Sequence, residues 1–190
     1  MNRREAISAV GFLVGGTIIG AEAFLSGCSK PSSPNATGLL TNDQIAFLNE
    51  VGETILPTTA SSPGAKDAKV GEFMNTMIQD CYSSADQTIF LDGISTLDNV
   101  SKTKFEKVFV KLTPGERHEL LLGVDAEASK YKEIRKPEDP EAHYYSMMKQ
   151  LTILGYFSSE IGSTKALNHV AVPGHYEACV PLKPGQKAWS

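Results

Sequence analysis

From Thr41 to Leu154 apolar residues recur at the spacing of one helix face, and caps and prolines cut the pattern into segments. Side chains at i, i+3, i+4 and i+7 share a helix face, whereas a strand alternates from one residue to the next. Thr41 and Gln44 form a capping box, and Ile45, Leu48, Val51 and Ile55 follow as one stripe up to Pro57. Residues 57–69, with Pro57, Pro63 and Gly64, read as a loop. Val70, Phe73, Met74, Met77 and Ile78 give a second stripe. Ser84 with Gln87 predicts the cap of a third helix, carrying Phe90, Ile94 and Leu97. Phe105, Val108, Phe109 and Leu112 keep the helical spacing, although Lys107–Leu112 also reads as a short strand. Thr113-Pro114-Gly115-Glu116 combines a cap, a proline at the first helical position and a glutamate at the third; it starts a helix through Leu120, Leu121, Val124 and Tyr131 towards Arg135. Asp139-Pro140 predicts the start of the last long helix, with His143 one turn inside it and Tyr144, Met147, Met148, Leu151 and Leu154 on its apolar face. The expected fold is a single compact all-α domain over 41–190, closed by a long irregular C-terminal segment.

That segment, Val170 to Ser190, holds Pro173, Pro181 and Pro184 with Gly174 and Gly185, which forbid a continuous helix. It also carries Val172, Tyr176, Val180, Leu182 and Trp189, too apolar for a free tail. It is expected to lie along a surface, its own or a partner's. A net charge of −4, with no long basic block, argues against nucleic acid as the main partner.

The first residues have the form of an export label. Arg3 and Arg4 precede a glycine-rich apolar run from Ala9 to Leu25, and Leu25-Ser26-Gly27-Cys28 has the form of a lipobox. The arginine pair resembles a twin-arginine signal, whose substrates cross the membrane folded, although Asn2, Ala6 and Ile7 depart from that motif. The organisation expected is 1–27 signal peptide, 28–40 lipidated tether and 41–190 folded domain, with Cys28 the lipid-bearing residue and a periplasmic, membrane-anchored protein as the result. An ordinary secretory leader and a short membrane anchor are the other readings. Cys81 and Cys179 are then left over, and an oxidising compartment would allow them to bridge internally or to a partner. An internal bridge would stabilise by about 4–5 kcal/mol on the chain-entropy account.

Chemistry-bearing motifs are scarce. His118, His143, His169 and His175 include no i, i+4 zinc pair, and there is no C-x-x-C, C-x-x-C-H, P-loop, G-x-G-x-x-G or G-x-S-x-G. The expectation is a chain with no catalytic residue, metal or cofactor of its own. Acid–base chemistry at Glu160 and His175 is a minor alternative. The unusual stretch is Gly155-Tyr156-Phe157-Ser158-Ser159-Glu160-Ile161-Gly162, which reads either as a plain helix end or as a contact surface with an aromatic anchor.

Glu53-Thr54-Ile55-Leu56-Pro57, Pro63-Gly64-Ala65, the 155–162 stretch, Val172 to Pro181 and Gly185 to Trp189, in this order, resemble the gluconate 2-dehydrogenase subunit 3 family. The resemblance runs from about Leu39 to the C-terminal residues. It implies a non-catalytic small subunit of a membrane-associated sugar or polyol dehydrogenase. Its partner would be an FAD-containing catalytic subunit of the glucose-methanol-choline type, with a haem c cytochrome as a third subunit in some complexes. In such complexes the small subunit supplies the twin-arginine leader and escorts the folded flavoprotein. Gly155, Tyr156, Phe157, Glu160, Pro173, Gly174, Tyr176 and Trp189 are then the candidate partner contacts. The lipobox at Cys28 departs from relatives that are simply cleaved, and suggests that this subunit also anchors the complex. A stand-alone binding or scaffold lipoprotein is the alternative.

Overall fold

A computed structural model describes residues 38–190 apart from 137, 138, 141, 173, 176–178, 182 and 190. Arg3, Arg4, Cys28, Pro173 and Tyr176 therefore lie outside the described residues. Among the described residues the order is α1 (Asn42–Ile55), α2 (Val70–Cys81), α3 (Ser84–Phe105), a 3-10 turn (Phe109–Lys111), α4 (Pro114–Ile134), α5 (Tyr144–Ser158) and a π-helical turn (Gly162–Ala166), with no strand. The domain is all-α. None of these helices is long and apolar enough to cross a membrane.

Hydroxyl caps start three of the helices. Thr41 and Thr113 each form the full capping box, with Gln44 and Glu116 reaching back to the cap. The third cap is Ser83, not Ser84: its side chain accepts from the Asp86 amide. Gln87 does something else, donating through Nε2 to the carbonyls of Ile78 and Tyr82 and so closing the end of α2. Lys69, at φ 54°, enters α2 in a left-handed conformation without a side-chain cap.

Two expected helical boundaries are corrected. Phe105 to Leu112 is not one helix: α3 stops at Glu106, which adopts φ 56°. Ser101 Oγ then donates to the Lys107 carbonyl and Asp98 accepts the Phe109 amide, bending the chain into the 3-10 turn. Phe109 and Leu112 still reach the core, so a turn satisfies the apolar spacing that had suggested a helix. The last long helix begins at Tyr144, not at Asp139-Pro140, and His143 is its N-cap and not an interior residue.

The core is built around α5, which packs against α1, α2, α3 and α4. Tyr145, Met147, Met148, Leu151 and Tyr156 from α5 meet Leu48 and Val51 of α1, Met74 and Ile78 of α2, Phe90 and Leu97 of α3, and Leu121 and Val124 of α4. Among the described residues the two buried polar side chains are satisfied: Ser101 as above, and Thr152 by the Met148 carbonyl at 2.8 Å. Glu50 of α1 binds both Lys66 and Arg117. Arg117 also donates to the carbonyls of Phe109 and Val110 and lies over the Phe109 ring, joining α1, the 3-10 turn and α4. Burial alone would raise the Glu50 pKa; the hydrogen bonds and charges of Lys66 and Arg117 outweigh it and hold the carboxyl below its ordinary range.

Candidate interaction platform where α1 and α5 end

The motif segments scattered along the sequence meet where α1 and α5 terminate. Glu53, in the last turn of α1, uses its carboxylate as an internal clamp. One oxygen accepts from the amide and hydroxyl of Thr58, at 2.8 and 2.9 Å, and the other from the Lys66 amide at 3.0 Å. The loop between them closes on itself: the Thr59 amide donates to the Ser62 carbonyl, and Thr58 Oγ1 accepts the Gly64 amide. Ala65 is fully buried and its amide donates to Leu56. Residues 57–66 therefore form a fixed shelf, not a slack connection.

Helix α5 reaches this shelf through Tyr156. The ring is buried, at 3% exposure, and its hydroxyl donates to the Pro63 carbonyl at 2.6 Å. One residue earlier, Gly155 sits against the Phe73 ring: a Cβ there would lie 2.6 Å from Phe73 Cδ1, so the glycine lets α5 approach α2. Phe157 takes the opposite role. It stands edge-on to Tyr156, with ring centroids 5.0 Å apart, and leaves its own ring partly in solvent. Ser159 breaks the helix by binding the Tyr156 carbonyl and accepting the Gly162 amide. The chain continues through exposed Glu160 into the π-helical turn, where Gly162 packs so closely on the Tyr156 carbonyl that a Cβ has no room. The two readings of this stretch are thus divided by residue. Gly155 and Tyr156 are interior fasteners, whereas Phe157 and Glu160 face outward.

The C-terminal segment returns to the same place. The Asn168 amide donates to the Ala188 carbonyl at 2.8 Å, Asn168 and Trp189 form an isolated parallel bridge, and Lys187 Nζ donates to the Lys165 carbonyl. Lys165, Lys187 and Thr164 line an open groove of about 460 Å³ with the Thr58–Pro63 shelf. Among the described residues, the buried apolar core lies between Leu40 and Tyr156. Of the segment's described apolar side chains, Val172 is 83% exposed, Trp189 60% and Val180 57%. Gly174 is exposed and has open space around it. Glu160 and His175 are both exposed. Cys81, at the end of α2, and Cys179, in the terminal segment, are free and exposed, and no bridge joins them.

Among the described residues no group of three or more His, Cys, Asp or Glu side chains is placed to hold a metal ion. The arrangement offers a rigid shelf, one outward aromatic ring and a strapped loop with an apolar exterior. Such an arrangement can serve as binding surface. The Glu53 clamp and the Tyr156–Pro63 bond were not foreseen; the signal for the first was an acidic residue four positions before Pro57 and a Thr/Ser-rich run ending in Pro63-Gly64.

Residues 42–174 match the family model described as gluconate 2-dehydrogenase subunit 3. No curated protein and no solved structure matches the chain. With most of the folded domain inside the match, the chain belongs to the gluconate 2-dehydrogenase subunit 3 family, accessory subunits of dehydrogenase complexes.

Proposed function

We propose that this member of the gluconate 2-dehydrogenase subunit 3 family is the non-catalytic small subunit of a periplasmic sugar or polyol dehydrogenase. Its catalytic partner is an FAD-dependent protein of the glucose-methanol-choline type, joined in some complexes by a haem c cytochrome. FAD and any haem reside in those partners. The flavoprotein acquires its cofactor before export and crosses folded, bound to this chain, under the direction of Arg3 and Arg4. A lipid on Cys28 then holds the complex at the membrane through the tether up to residue 40.

One observation carries the partner-binding part of this reading. The C-terminal segment is fastened at both ends yet keeps Val172, Val180 and Trp189 in solvent. Anchored, apolar and unburied surface of this kind is what an obligate partner covers. Phe157 extends the same apolar character onto α5. A stand-alone ligand-binding lipoprotein calls for an enclosed pocket, and the apolar depression lined by Ala128, Ile153 and Leu154 is an open groove.

The test is purification of the tagged full-length protein in mild detergent, with mass spectrometry and a flavin absorbance scan. A flavoprotein that co-purifies, and that disappears from the periplasm after Arg3→Lys with Arg4→Lys, is the expected result. A colourless lone lipoprotein whose export ignores the double substitution overturns the reading.

A further inference from the structure

We propose that His143 is an acid-sensitive latch: at neutral pH its imidazole closes the N-terminal turn of α5, and on acidification it releases it. The observation behind this is a chemical exception. Thr41, Ser83 and Thr113 cap α1, α3 and α4 with hydroxyls that do not titrate in the ordinary pH range. The helix at the centre of the domain is capped by a histidine, whose Nδ1 accepts the Tyr145 amide at 3.3 Å.

That hydrogen bond requires a lone pair on Nδ1, so the capping form is neutral imidazole with its proton on Nε2. A second proton has two effects of the same sign. It puts an N–H on Nδ1, facing the Tyr145 N–H, so that the bond is lost donor against donor. It also places a positive charge at the positive end of the α5 dipole. Protonation therefore removes a cap and adds a repulsion.

The surroundings favour the neutral form in the closed state. His143 is half-buried between the rings of Tyr144, at 4.3 Å between centroids, and Tyr131 of α4, at 5.5 Å. Burial lowers the imidazole below the ordinary histidine range, and the Glu127 carboxylate of α4 pulls it only partly back. Among the described residues, the other charged groups facing the same cavity of about 610 Å³ are Lys132 of α4, Arg135 at the C-cap of α4 and Asp86 of α3, with the Tyr82 phenol beside them. Among the described residues two cations thus stand against the carboxylates of Asp86 and Glu127. The Tyr131 hydroxyl also donates to the Pro140 carbonyl at 2.8 Å, so the ring that packs on His143 holds the connection from α4 to α5 as well.

Hydrogen exchange read by mass spectrometry on the full-length protein tests the latch, comparing pH 7.5 with pH 5.5 after correction for the intrinsic pH dependence of exchange. In the wild type, exchange at residues 144–147 should rise relative to the middle of α4, by up to about fivefold, the factor that corresponds to losing one helix cap. In His143→Asn, which caps well without titrating, the rise should be absent. His143→Ala should exchange fast at both pH values. If the wild type and His143→Asn share one pH profile, or if the wild type shows no change, the latch is refuted. His143→Asn alone decides the matter should His143→Ala fail to fold.

Discussion

Helix α5 is fastened at its two ends by different chemistry. At the C-terminal end the Tyr156 phenol donates to a main-chain carbonyl, Ser159 folds back on the last turn, and Gly155 seats against Phe73. None of these contacts depends on a proton near neutral pH. At the N-terminal end a half-buried imidazole accepts the Tyr145 amide, and that contact exists in one protonation state only. One helix thus has a permanent fastening beside the proposed partner platform and a conditional one at the far end. Local stability can change at one end while the other keeps its shape.

The largest effect expected from breaking this contrast is at the permanent end. Gly155→Leu forces a side chain into the Phe73 ring and should cost about 1–3 kcal/mol in urea unfolding, more if α5 shifts away from α2. Tyr156→Phe is subtler. It removes the donor to Pro63 while keeping the ring, and should cost about 1 kcal/mol, with no change between pH 5.5 and 7.5. His143→Ala should cost a similar amount, about 1 kcal/mol, at pH 7.5 and progressively less on acidification. The sign follows from the depressed pKa: the neutral ring is favoured in the folded state, so its contribution is whole above the ordinary value of 6.5 and is lost as pH falls through the folded value. A pH-independent penalty for His143→Ala would erase the contrast between the two ends. Glu50 supplies a separate acid limb. Its folded pKa lies below the ordinary 4.5, so the stability due to Lys66 and Arg117 disappears only in more acidic solution, and Glu50→Gln should flatten that limb alone. The smallest stability effect belongs to Val172→Ser, within about 0.5 kcal/mol, because the side chain is 83% exposed and touches no core residue. On the proposed function that same change should lower flavoprotein recovery in co-purification, which separates surface kept for a partner from surface that holds the fold.

The parts of the fold that were legible in the sequence are those governed by local rules. The Thr41 and Thr113 capping boxes and the Val70–Ile78 stripe depend on residues a few positions apart, and they stand as the spacing predicts. The errors came where a distant or irregular contact substitutes for the local one. Phe109 and Leu112 are buried by a turn that Ser101 and Asp98 impose from the preceding helix. Gln87 serves the end of α2, not its own cap. The sequence places His143 inside a helix, because an imidazole is an uncommon cap and Asp139-Pro140 offers a more ordinary start. At the platform, the sequence singled out 155–162 as a unit but could not divide it. Whether Tyr156 faces in and Phe157 out depends on Pro63, more than ninety residues earlier. Glu53 likewise looks like any surface carboxylate until the loop folds over it.

The parallel bridge between Asn168 and Trp189 also bears on association rates and entropy. A free twenty-residue tail would explore many conformations, and a partner capturing it would have to freeze them all. Joining the ends removes the widest of those excursions before any encounter occurs. Cutting the bridge, for example with Asn168→Pro, which deletes the amide that Ala188 accepts, should leave the helical core standing while slowing capture by anything that reads the loop.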